Sequence, residues 1–379
     1  MKILNINSYY FSSSVHKQLQ SALHKQGIES ETYVPLTMNY VPREECQYGI
    51  EDDVQISECY GKFDRYIFHI KHYKILRDIK QCINLEDFDC LHAHSLFSNG
   101  FIAMKIKEKF GVPYVVAVRD TDLNIFFKYM VHLRRLGLKI LQEADKIIFL
   151  SEPYKDFLNQ KYIPRKLRKE LLAKSEIISN GIDHFWLTNK GCTKYLENNK
   201  ALKLIYVGGI SKRKNIGMTV KAVETLRNKG YEIIFTIIGK IVDKFIFDQI
   251  KDLPFINYIQ PVTKEELIQI YRDNDIFIMP SITETFGLVY AEAMSQGLPV
   301  VYTRGQGFDG QFEEGEVGYS VDCFDADDIA NKVVDIINSY DNQSNKCIKL
   351  CNKFDWDNII QTYIEIYHNI EKMNNGYDK

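Results

Sequence analysis

Short apolar runs ending in polar or glycine-rich loops alternate along the chain with stretches whose apolar residues fall at helical spacing. Runs of the first kind predict buried parallel strands, and the second kind predicts the helices that cover them. Lys2 to Ile6 reads as a strand and Val15 to Gln26 as a helix stopped by Gly27. Asp89 to His94 reads as a strand, Asn99 to Phe110 as a helix, and Gly111-Val112-Pro113 turns into a strand over Tyr114 to Val118. Lys146 to Ser151 and Ser175 to Asp183 repeat the design. Residues 38–62 are polar and irregular and predict a mobile loop, and residues 184–200 predict a linker. A second series then begins: strand Leu202 to Val207, helix 216–229, strand Glu232 to Ile238, helix 243–251, strand Ile256 to Ile259 and helix Thr263 to Asp273. Thr263 and Glu266 have the spacing of a capping box. The last helix carries Trp356, Ile359, Ile360, Tyr363, Ile366 and Tyr367 on one side.

Strands alternating with helices throughout imply an α/β protein with two doubly wound parallel sheets. The expected domains are residues 1–185 and 200–355, with residues 356–379 as a returning C-terminal helix.

The stretch from Asp275 to Val301 is the most specific. Its apolar run Ile276 to Met279 ends at Pro280, good helix formers extend from Phe286 to Gln296, and Gly297 stops them before Pro299-Val300-Val301. A helix starting near Phe286 aims the N–H groups of Phe286, Gly287 and Leu288, with the positive end of its dipole, at whatever lies over the strand ends. That is a phosphate site, and Gly287 leaves room for a ligand against the backbone. Glu284 lies just before the helix and Glu292 within it, about 12 Å apart if all eight residues are helical. Two carboxylates so placed suit the two polyols of a nucleotide sugar, one on each side of a diphosphate.

A second cluster supports an anion in the same half. Gly208-Gly209-Ile210-Ser211 leads into Lys212-Arg213-Lys214-Asn215 at the start of a helix, where cations are unfavourable unless an anion sits there. In the first half, His94 and Arg119 stand at the carboxyl ends of strands, where open parallel sheets bind ligands. His92 and His94 alternate along a strand and so predict side chains on opposite faces, unsuited to a shared metal unless the chain bends. Ser12, Ser13 and Ser14 offer hydroxyls before the first helix, and Ser14 suits a helix cap.

Composition narrows the partners. A formal net charge of −2 excludes a general nucleic-acid binder. Residues 1–185 nevertheless hold 26 Lys+Arg against 23 Asp+Glu, so the basic excess belongs to the first half. There, Lys62 to Lys80 interleaves aromatic and basic residues at helical spacing, and Arg165 to Lys169 is a second basic cluster; such segments suit an anionic lipid surface. Eight cysteines without a C-x-x-C pair or metal-finger spacing read as reduced thiols. No signal-peptide core or apolar run of membrane-spanning length occurs, which points to a cytoplasmic protein, peripheral to a membrane at most.

Glu284-x7-Glu292, with Thr285-Phe286-Gly287-Leu288 inside and Ala293-Met294-x-x-Gly297-x-Pro299-Val300-Val301 after it, resembles the donor-site signature of the retaining GT-B glycosyltransferases of family 4, the glycosyl transferases group 1. His92-Ala93-His94-Ser95 and Asn180-Gly181-Ile182-Asp183 also resemble segments of that family. The resemblance implies two Rossmann-like domains facing each other across a cleft, the N-terminal one for the acceptor and the C-terminal one for the nucleotide sugar. It implies donor contacts from Gly209, Arg213, Lys214, Glu284, Thr285, Phe286, Gly287, Leu288 and Glu292, with Glu284 on the sugar and Glu292 on the ribose. Ser13, Ser14, His94 and Arg119 fall on the acceptor side, and Glu284, Lys214, Arg119 and His94 are the implied catalytic set. No cofactor or metal is implied beyond a UDP- or GDP-sugar co-substrate; Asp120-Thr121-Asp122 has a metal-motif form but lies in the other domain. The implied acceptor is a saccharide or lipid-linked saccharide of bacterial surface polysaccharide, with peripheral membrane contact through the N-terminal domain. Three positions depart from the family: serines replace a Gly-Gly pair before the first helix, Arg119 stands where many members have histidine, and Gly209 stands at an arginine position. Two alternatives remain open at this point, a sugar-nucleotide epimerase or hydrolase of the same fold and a sugar-nucleotide-binding subunit without catalysis.

Overall fold

The computed structural model describes residues 1–40, 53–197 and 200–376. The chain divides into two compact units, one of Met1–Leu150, Lys155–Gly181 and Trp356–Lys379, the other of Ser151–Tyr154 and Ile182–Asp355.

The first unit is built on a seven-stranded parallel sheet. Its strands are β1 (Lys2–Ile6), β2 (Glu29–Thr37), β3 (Val54–Tyr60), β4 (Cys90–Ala93), β5 (Tyr114–Val118), β6 (Lys146–Phe149) and β7 (Ser175–Ile177), in the order β3-β2-β1-β4-β5-β6-β7. β4 and β5 are buried along their whole length, which is why they read as continuous apolar runs. The helix Gly100–Phe110 crosses over from β4 to β5, and Gly100 is a glycine for lack of room: a Cβ there would lie 2.9 Å from both Ile140 and Val116. The helix Trp356–Gly376 packs in this unit too. Its Trp356 ring lies where a side chain on Gly181 would be, 2.6 Å from the Cβ position, and its indole N–H donates to Gln18 at 3.0 Å.

One expectation changes here. Residues 38–62 are not a single loop: residues 41–52 lie outside the described residues, and Val54–Tyr60 pairs in parallel with β2 as an edge strand. An edge strand tolerates the polar side chains that made the segment look irregular.

The second unit has a six-stranded parallel sheet of β8 (Leu202–Val207), β9 (Ile233–Ile238), β10 (Ile256–Ile259), β11 (Ile276–Ile278), β12 (Val300–Thr303) and β13 (Gly318–Val321). The order is β10-β9-β8-β11-β12-β13, so the winding direction reverses between β8 and β11. Reversal points of this kind open a crevice at the carboxyl ends of the strands. The capping box at Thr263 and Glu266 is present, with the Thr263 amide donating to the Glu266 carboxylate at 2.9 Å. Residues 184–197, expected as linker, belong to this unit. His184–Thr188 is a helical turn capped by Asp183, and Trp186 is buried edge-on to Tyr271 with ring centres 5.8 Å apart. Among the described residues no helix is long and apolar enough to cross a membrane.

Candidate active site

In the second unit the chain leaves β8 through Gly208-Gly209 and makes a single 3-10 turn at Lys212–Lys214. Asn215, in a left-handed conformation (φ 59°), then opens the helix Ile216–Asn228. Its amide nitrogen donates to the Pro280 carbonyl at 3.0 Å, beyond the end of β11, and the Ile282 N–H donates to the Arg213 carbonyl at 2.9 Å. These bonds lay the basic turn beside the loop after β11, at the point where the sheet reverses.

Lys214 and Glu284 meet there. The Lys214 ammonium is ion-paired with Oε2 of Glu284, and both side chains are nearly buried, at 13% and 11% exposure. Arg213 stands behind them, Nη1 donating to the Thr283 carbonyl at 2.7 Å and lying 3.8 Å from the same carboxylate oxygen. Burial pushes the Lys214 ammonium down from its usual range, while the Glu284 charge works the other way. Lys212 and Arg213 are both exposed, but Arg213 reaches the Thr283 carbonyl and the Glu284 carboxylate, so it is the basic neighbour that accompanies Lys214 where Gly209 provides no side chain.

The Glu284 backbone is held from three sides. Its N–H donates to the Gln306 side chain at 3.0 Å, and its carbonyl accepts from the Gly307 N–H at 2.9 Å and the Tyr154 hydroxyl at 2.8 Å. The loop Arg304 to Gly310 is therefore pinned to the site. Gly307 packs so closely that a Cβ would lie 1.9 Å from the Thr285 carbonyl oxygen.

The helix after Glu284 runs from Leu288 to Ser295 and starts two residues later than the sequence pattern suggests. Gly287 is its N-cap at φ 80°, and a Cβ there would strike the Tyr290 ring at 2.4 Å, so the chain's own backbone already demands glycine. Phe286 points inward, buried against Phe354 and Phe308, and contributes packing. Leu288 and Thr285 are half-buried beside the helix start. Glu292 is half-buried on the helix, and no hydrogen bond reaches its carboxylate among the described residues. Burial pushes that carboxyl up to about 7, against the pull of Lys264 and with the push of Asp183. Lys264 and Asp183 are themselves ion-paired.

The first unit gathers different groups at the carboxyl end of its own reversal, between β1 and β4. The His92 and His94 rings stack on one side, 4.1 Å apart and 19° from parallel, which overturns the expectation of opposite faces: side chains alternate with period two, so residues two apart share a face. His16 meets His94 edge-on at 5.1 Å. Arg119 donates from Nε to the His94 carbonyl at 3.2 Å, His94 Nε2 pairs with the Asn5 side chain at 3.0 Å, and His92 Nδ1 pairs with the Tyr367 hydroxyl at 2.7 Å. Burial holds His16 and His92 down at about 3 and His94 well below the ordinary range, with Arg119 adding to the effect at each. Nδ1 of His16 and His94 and Nε2 of His92 are buried without a partner among the described residues.

Ser13 and Ser14 flank the first helix. Ser14 is the N-cap residue yet makes no side-chain cap, and Ser13 Oγ accepts from the Val15 N–H at 3.3 Å instead. Asp122, the second carboxylate of the Asp-x-Asp form, is buried and spent on backbone amides, accepting from Leu96, Phe97 and Arg119 at 2.9–3.0 Å. Among the described residues no group of three His, Cys, Asp or Glu could hold a metal ion.

The fold thus brings Arg213, Lys214, Glu284 and the start of the 288–295 helix together in one unit, and His94 with Arg119 in the other. His16, Tyr154 and Lys264 escaped the sequence reading. Of these only His16 had a visible signal, a polar residue amid the apolar positions of the first helix.

Two family models match the chain, Glycosyltransferase Family 4 over residues 14–184 and Glycosyl transferases group 1 over residues 192–353. The D-inositol 3-phosphate glycosyltransferase of Corynebacterium urealyticum is 31% identical over 308 residues, covering 76% of this chain and 72% of that protein. The alpha-monoglucosyldiacylglycerol synthase of Acholeplasma laidlawii is 26% identical over 278 residues, 67% of each chain. Among solved structures, HepE of Anabaena in complex with UDP superposes with a TM-score of 0.72 at 13% identity, covering 97% of this chain and 100% of that one.

Proposed function

The chain belongs to the group 1 glycosyltransferases of family 4, and we propose that it moves a sugar from a UDP- or GDP-sugar to a saccharide or lipid-linked saccharide with retention of configuration. The observation that carries this reading is the Lys214–Glu284 pair beside Arg213 and the N-terminus of the 288–295 helix, at the reversal of the second sheet. The diphosphate leaves with the electron pair of the bond to the sugar. Lys214, Arg213 and the N–H groups of Gly287 and Leu288 would stabilise its growing charge, which is the largest single contribution in reactions of this type. Glu284 would hold sugar hydroxyls and Glu292, with its unpartnered carboxylate, the ribose.

His94 and Arg119 would act on the acceptor side. Arg119 supplies a fixed positive charge, and the neutral histidines supply hydrogen-bonding nitrogens that burial keeps unprotonated. No metal is called on in this reading, because the basic side chains and helix terminus take the part a metal would play. The Acholeplasma relative is named for making a glycolipid, alpha-monoglucosyldiacylglycerol, and this supports a lipid-linked acceptor here, with contact between the N-terminal unit and a membrane surface.

The test is a thermal-shift screen of UDP-, GDP- and ADP-sugars followed by product analysis. A ligand at a hundred times its Kd adds about 2.7 kcal/mol to stability, which is a measurable shift. No shift with any nucleotide sugar would end the donor assignment. Product formed from the donor alone would favour the epimerase or hydrolase, and binding without turnover across acceptors would favour a non-catalytic subunit.

A further inference from the structure

The first unit exposes large apolar side chains in two separate segments. Phe63, Tyr66, Ile70 and Tyr73 project from the turn and helix at 63–82, with Tyr66 76% and Tyr73 69% exposed. Tyr129 and Val131 project from the segment after β5, at 69% and 58%. The two segments are neighbours: Phe68, at the start of the helix Phe68–Cys82, stands edge-on to Phe126 with ring centres 6.2 Å apart. Ile70, Tyr73, Arg77 and Lys80 recur at three- and four-residue steps in the helix, so they share the face opposite the buried His72, Ile75 and Ile79, and Tyr66 is exposed on the turn just before it.

Cations are interleaved with these rings. Arg65 lies over Tyr66 at 5.4 Å, Lys128 over Tyr129 at 5.2 Å, and Arg77 and Lys80 extend the helix stripe. Exposed aromatic rings flanked by lysine and arginine are the composition of a membrane-interface surface, where ring bodies enter the headgroup region and the cations face anionic lipid. A protein interface would be expected to lack the lysines. The other basic cluster does not have this character. Arg168 is spent on the carbonyls of Ile163 and Gln160, at 3.2 and 3.0 Å.

We infer that Phe63 to Lys80 and Lys128 to Val131 together form a docking face for an anionic membrane, entered by Tyr66, Ile70, Tyr73, Tyr129 and Val131. This names the surface for the lipid-linked acceptor of the proposed function and rests on that reading for its purpose, while its own grounds are exposure and charge.

Co-sedimentation with vesicles of phosphatidylcholine, with and without a third of phosphatidylglycerol, tests it without any turnover. The full chain should bind the anionic vesicles, more weakly at higher salt. Tyr66→Ser/Tyr73→Ser and, separately, Tyr129→Ser/Val131→Ser should each weaken binding roughly tenfold or more, and Arg77→Gln/Lys80→Gln by about fivefold per charge. Arg165→Gln/Lys166→Gln/Lys169→Gln should bind as the parent does. All substituted side chains are exposed, and an unchanged melting temperature confirms folding. The inference falls if anionic vesicles are not bound at low salt, if both apolar variants bind undiminished, or if only the 165–169 variant loses binding. It falls equally if Tyr66→Ser/Tyr73→Ser instead disperses a dimer seen by sedimentation velocity. Vesicle binding without sugar transfer would count against the proposed function alone, and transfer to a soluble acceptor without vesicle binding against the docking face alone.

Discussion

Lys214 and Glu284, 70 residues apart in the chain, form an ion pair at the reversal point of the second sheet. The pair is buried enough for its members to depend on each other. Removing one partner of a buried pair typically costs roughly 3–5 kcal/mol, because the other charge is left without compensation. Lys214→Ala and Glu284→Ala should therefore each lower stability in urea unfolding, and the Lys214→Met/Glu284→Leu double variant should lose clearly less than the sum of the two. Additive losses would mean the two side chains do not sense each other. Lys214→Ala should also lower kcat by about 10²–10³, the usual effect of removing one group that stabilises a developing anion.

The two glutamates should separate by ligand. Glu292→Ala should weaken nucleoside diphosphate binding by about 1.5–3 kcal/mol, the worth of a hydrogen bond to a charged group. Glu284→Ala should leave that binding nearly intact and erase discrimination among sugars. Isothermal titration with UDP or GDP and their sugars decides, and equal effects of the two variants on diphosphate affinity would refute the assignment.

Burial raises the Glu292 carboxyl to about 7, so its charged form dominates only above that pH. The ionised carboxylate is the better acceptor for ribose hydroxyls, and nucleotide affinity should rise between pH 6 and 8. Stability of the free protein should move the opposite way. A carboxyl whose folded pKa exceeds its unfolded value costs nothing below about 4.3, weighs progressively more as pH climbs from there to about 7, and adds no further cost above it. Glu292→Gln should flatten both dependences; a binding profile that keeps its slope in this variant would place the titrating group elsewhere.

The strand-by-strand alternation was legible because buried parallel strands such as Tyr114–Val118 are continuous apolar runs. The Lys214, Glu284 and Glu292 positions were legible because motif spacing places them on loop and helix. Strand Val54–Tyr60 was not legible, since an edge strand keeps only one side paired and its polar residues break no rule. The helix start was misplaced because the left-handed φ of Gly287 and its contact with Tyr290 depend on packing that only the folded chain possesses. The stacking of His92 on His94 was legible but misread, since residues two apart along a strand share a face and period two puts both rings on one side.

Chelation should leave activity intact. In the proposed mechanism Lys214, Arg213 and the amides at Gly287 and Leu288 balance the diphosphate charge, and these groups do not depend on an added ion. Activity measured after dialysis against EDTA should equal the untreated value; strict dependence on Mg²⁺ or Mn²⁺ would mean another centre carries the charge.

The stacked histidines should make the first unit sensitive to acid. His16 and His92 are held at about 3 in the folded chain, against about 6.5 when unfolded, and His94 is likewise lowered by burial and by its neighbours. The unfolded state therefore binds more protons below pH 6.5, and folding free energy falls as pH drops from there toward 3. The carboxylates of the chain add their own acid dependence, so the slope alone does not identify the histidines. The comparison that does is His92→Asn against the parent: it removes one buried imidazole and the ring that His94 stacks on. Urea midpoints measured from pH 7 to 4 should fall less steeply in the variant, whatever its stability at pH 7, and parallel curves would show that the cluster takes up no proton on unfolding beyond what it holds when folded.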